Sequence, residues 1–106
     1  IFIERIPSLD GSLLGWIKVL HGLRTLEVAR VIPGHGPASA DWPQATFAAT
    51  RYLETLAGDI RAILDRNGSL KEAALSAGQG EKENWVLFEE YNGGNATAGY
   101  VELEWE

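Results

Sequence analysis

The chain contains no cysteine and no methionine among its 106 residues. Without cysteine there is no disulfide and no thiolate zinc site, so any metal must be held by histidine and carboxylate side chains. Cations are scarce: Lys and Arg number 9 against 15 Asp and Glu, for a net charge of −6. Nucleic-acid binding rests on clustered Lys and Arg that neutralise phosphate. No such cluster occurs, so no nucleic-acid partner is expected. No apolar run approaches the ~20 residues that cross a bilayer, so no membrane partner is expected either. Common catalytic signatures are missing too. There is no His-x-x-x-His, no glycine-rich phosphate loop, and no Gly-x-Ser-x-Gly around Ser12 or Ser39. Internal repeats and low-complexity tracts are absent.

The lack of methionine includes the first position. An opening Ile1-Phe2-Ile3 reads as the inside of a β-strand, not as a translation start. The expectation is an excised piece of a longer protein, forming a single domain over residues 1–106, too short for two. What is present suffices for a core: 45% hydrophobic residues and four tryptophans.

The densest motif is Pro33-Gly34-His35-Gly36-Pro37, which follows the β-branched run Val28-Ala29-Arg30-Val31-Ile32. Glycine turns the backbone at no steric cost, and proline ends regular structure on either side. The pattern predicts a strand end, a tight loop and one presented imidazole. Imidazole is a common zinc ligand and works as an acid or base near neutral pH.

Two short strands are expected, a strand tail over Ile1–Ile6 and a buried strand over Val28–Ile32. About five helices accompany them. Ser12 caps a helix running to about Leu23. Asp41, with Gln44 and Pro43, opens the longest helix, whose stripe is Trp42, Ala45, Ala49, Tyr52, Leu53, Leu56, Ile60, Ile63 and Leu64. Asn67-Gly68 closes it with a left-handed cap. Ser69-x-x-Glu72 is a capping box for a short helix to about Ala77. A further helix starts near Glu83 or Asn84, Asn92-Gly93-Gly94 breaks it, and Asn95 caps a last helix bearing Tyr100, Leu103 and Trp105. The C-terminal acids Glu81, Glu83, Glu89, Glu90, Glu102, Glu104 and Glu106 read as a solvated face.

On spacing alone, His35 is open to a structural or a metal-binding role. His21, near the end of the first helix, fits a favourable interaction with the helix C-terminus. Asp10 fits a turn. No complete metal site or catalytic triad can be assembled from these residues.

Val31-Ile32-Pro33-Gly34-His35-Gly36-Pro37 followed by a long helix resembles the last metal-ligand segment of the metallo-β-lactamase fold. Phe2 to Trp16 is similar to the stretch that follows the bridging aspartate in that family. Arg51-Tyr52-Leu53, Leu87-Phe88-Glu89-Glu90-Tyr91, Asn95-Ala96-Thr97 and Glu102-Leu103-Glu104-Trp105-Glu106 resemble a quinoprotein-associated, SoxH-like subgroup of zinc metallohydrolases. The resemblance implies an α/β class, a mostly helical fragment of an αββα fold. It implies zinc as the cofactor of the parent protein and His35 as its last metal-ligand histidine. The family's His-x-His-x-Asp-His motif, its next histidine and its bridging aspartate have no counterpart here. No catalytic residue therefore carries over within this fragment, and the piece alone is expected to be inactive. The implied partner is the missing N-terminal half of the parent domain. Exposed apolar surface left by its absence is expected to drive self-association into dimers or larger oligomers. A periplasmic parent would suit the subgroup. The alternative is a non-catalytic helical interaction module in which His35 is structural.

Overall fold

The computed structural model describes residues 2–26, 29–34, 40–42 and 44–106. Four α-helices carry the fold: α1 (Leu13–Leu23), α2 (Phe47–Asp65), α3 (Leu70–Ser76) and α4 (Phe88–Leu103). A 3-10 turn at Gln44–Thr46 leads into α2, and a six-residue 3-10 helix at Gln79–Asn84 follows α3.

Local chemistry sets the helix ends. The Ser12 hydroxyl accepts from the Gly15 amide at 2.9 Å and starts α1 as expected. Helix α2 ends on Asn67 at φ 60°. There the Gly68 amide bonds the Ile63 carbonyl at 2.7 Å and the Asn67 amide bonds that of Leu64 at 3.0 Å. This is a Schellman closure with asparagine, not glycine, in the left-handed position. Gly68 is needed for another reason: a Cβ there would lie 2.5 Å from Ile63 Cγ2. Ser69 then accepts from the Glu72 amide at 3.1 Å and opens α3.

The α/β expectation is overturned. The domain is helical, and its described residues offer no sheet for the helices to cover. Extended pairing amounts to a two-residue antiparallel ladder, β1 (Arg30–Val31) with β2 (Ala40–Asp41), plus one parallel bridge between Arg5 and Val86. The N-terminal stretch cannot run on as a strand because Glu4 sits at φ 70° and turns it. Ile6 instead enters the helical core fully buried. Burial of the second strand on both faces also fails, since Ile32 is 80% exposed.

Helix α2 starts six residues later than its sequence suggests. Asp41 belongs to β2, and its carboxylate takes Arg30 at 3.1 Å, so it is not a helix cap. Pro43 lies outside the described residues. The four helices, against about five expected, follow from α4 running unbroken through Asn92-Gly93-Gly94. Asn95 is therefore a buried mid-helix residue and not an N-cap.

The core forms where six of the nine expected stripe residues (Ala49, Tyr52, Leu53, Leu56, Ile60, Ile63) meet Leu13 and Leu20 of α1, Ala73 of α3, and Phe88, Ala96 and Leu103 of α4; Trp42 and Ala45 precede α2, and Leu64 is only partly buried. Trp105 does not join it and is 84% exposed. The accessible surface, 6034 Å², is close to the roughly 5,800 Å² that a monomeric globular protein of this mass exposes.

Candidate functional site

His35 lies outside the described residues, so the structure places its flanks and not the imidazole. The ladder sets Val31 opposite Ala40. The chain therefore enters and leaves the span 32–39 at one point. A further backbone bond extends that base. The Trp42 amide donates to the Ala29 carbonyl at 2.9 Å, and the Trp42 ring is buried. Its indole N–H has no acceptor among the described residues. Nearby, Arg24 at the end of α1 donates to the Thr46 hydroxyl at 2.9 Å and lies 4.9 Å over the Phe47 ring. These contacts lock the end of α1 to the start of α2, the two elements that bracket the ladder in the chain.

The other residues singled out in the sequence do not converge on this base. His21 sits in the last turn of α1, as expected, but its Nε2 meets Glu54 Oε1 of α2 at 3.0 Å, with both side chains half exposed. Asp10 is exposed in the turn before α1. Among the described residues no group of three or more His, Asp or Glu side chains could hold a metal ion. A zinc centre needs three or four such ligands. The described residues therefore do not fit a zinc site on their own.

Two of the C-terminal acids are structural instead of solvated. Glu81 is buried, and it accepts from Arg51 at 3.0 Å, from Asn84 at 3.0 Å and from the Trp85 indole at 3.3 Å. Glu102 reaches back to α1. Its Oε1 accepts from the Leu13 amide at 2.6 Å, and its Oε2 accepts from the Leu14 amide at 3.1 Å and the Ser12 hydroxyl at 3.0 Å. A carboxylate over free helix N–H groups satisfies them and opposes the positive end of the helix dipole. Glu106 pairs with Arg61, and Glu89 with Lys82.

The structure adds a feature that sequence reasoning missed. An apolar groove of about 350 Å³ runs along α1, lined by Phe2, Trp16, Val19, Leu20, Leu23 and Ala49, among others. Phe2 and Trp16 meet with ring centroids 5.8 Å apart. The one hydroxyl at its edge, that of Ser12, is already committed to Glu102 and the Gly15 amide. The groove thus offers hydrophobic contact and little hydrogen bonding. Its signal was present in the sequence. Within Leu13–Leu23 only Lys18 and His21 are polar, and a helix apolar nearly all round has more than one face to bury. Helices α2 and α4 cover one side, leaving Val19 60% exposed on the other.

Comparison of the chain with known protein families, curated proteins and solved structures found no match.

Proposed function

We propose that the chain is the C-terminal portion of a zinc-dependent hydrolase of the metallo-β-lactamase superfamily, and that its own contribution to the metal site is one ligand, His35. The observation that carries this is Pro33-Gly34-His35-Gly36-Pro37 in a span whose two ends are paired by the β1–β2 ladder. A ligand loop needs such a base, because ligand geometry tolerates only small displacements. One imidazole cannot set the coordination of zinc. The remaining ligands belong to the N-terminal part of the parent protein, and zinc is the cofactor of the whole and not of this piece. The bare stripe on α1 supports the same division. Trp16, Val19 and Leu23 form an apolar face that the described residues leave open, the kind of surface that marks an interaction site. In isolation the chain is inactive and self-associates through that face.

A second reading, a non-catalytic helical module with His35 in a structural role, draws on a different observation. The accessible surface of 6034 Å² is that of a chain whose helices close a core by themselves.

Co-expression with the polypeptide encoded upstream of Ile1 separates the two. The hydrolase portion forms a soluble complex that carries zinc, and Val19→Asp on the exposed stripe weakens the complex while leaving the helical content unchanged. A module gives neither result.

A further inference from the structure

We draw no further inference here: the strongest candidate, the apolar groove along α1 lined by Phe2, Trp16, Val19 and Leu23, already serves the proposed function as an open face, and nothing in the structure shows what covers it.

Discussion

The phenolic O–H of Tyr52 on α2 donates to Oδ1 of Asn92 on α4 across 2.7 Å. The same phenol oxygen accepts from Asn95 Nδ2 at 3.0 Å. Asn95 also donates to the Pro7 carbonyl at 2.6 Å and accepts from the Leu9 amide at 2.8 Å, while Asn92 donates to the Ala77 carbonyl at 2.8 Å. One buried polar network therefore ties two helices, the N-terminal segment and the turn after α3. Buried amides are costly unless bonded, and here both are bonded through oxygen and nitrogen. Removing one member strands the others. Tyr52→Phe should cost about 1–2 kcal/mol, and Asn95→Ala, which orphans more partners, about 2–3 kcal/mol. The double variant should cost less than the sum, because the groups share one network. Urea unfolding with an unchanged slope measures all three.

Burial drives the ionisation of Tyr52 far above its ordinary value near 10; the Asn95 hydrogen bond works in the opposite direction, and the Glu81 charge adds to the rise. The folded state thus holds this proton where the unfolded chain releases it. Stability from this group is complete below about pH 10 and is lost as pH rises beyond it. The Tyr52 phenolate band, isolated as the absorbance difference between wild type and Tyr52→Phe, should appear only as the near-ultraviolet dichroism is lost. Its appearance while that dichroism stays native would contradict the burial of Tyr52.

Two glycines of α4 should respond oppositely to alanine. At Gly94 an added Cβ meets nothing within 4 Å, whereas at Gly99 it would lie 2.7 Å from Ile60 Cδ1 and 3.0 Å from Leu13 Cδ2. Gly94→Ala should stabilise by about 0.5–1 kcal/mol through helix propensity. Gly99→Ala gains the same propensity but overpacks the junction of α1, α2 and α4, and should lose about 1–3 kcal/mol net. Thermal melts of the two variants, read side by side, check the sign of each.

Glu102 fastens the start of α1 to the end of α4, with Ser12, Leu13 and Leu14 as its donors. Its replacement by alanine leaves two amides at the helix start without partners and should cost about 1–2 kcal/mol, the size of a lost N-cap. For a chain of this size that is a drop of roughly 4–16 °C in Tm. Glu104→Ala, two residues further along the chain and exposed, should leave Tm unchanged within about 1 °C, since surface substitutions of this kind change stability little.

The helix ends made by local side-chain chemistry were legible in the sequence. Ser12, Ser69 and the Asn67-Gly68 closure act within a few residues of themselves, and the α2 stripe keeps its period over the whole helix. What was illegible depends on distant partners. Helix α4 buries Phe88, Asn92, Asn95, Ala96, Gly99 and Leu103. That face has helical spacing, but two asparagines and a glycine occupy it, so it looks like a break. Tyr52, 40 and 43 residues away, together with the backbone of Pro7, Leu9 and Ala77, turns those amides into core residues. Asp41 similarly looks like a cap until Arg30 claims its carboxylate. The strand readings failed for lack of pairing: β-branched runs adopt sheet only beside a partner strand, and the described residues supply a two-position ladder and one isolated bridge. His35 was legible as a motif, and it lies outside the described residues.

The most direct measurement is the zinc content of the complete parent protein, purified with and without His35→Ala and compared by elemental analysis. A retained far-ultraviolet spectrum confirms folding in both. The account predicts that the variant loses part or all of its zinc and its hydrolytic activity while keeping its helical content. A variant that binds zinc in full and hydrolyses substrate at the wild-type rate would contradict the assignment of His35 as a ligand.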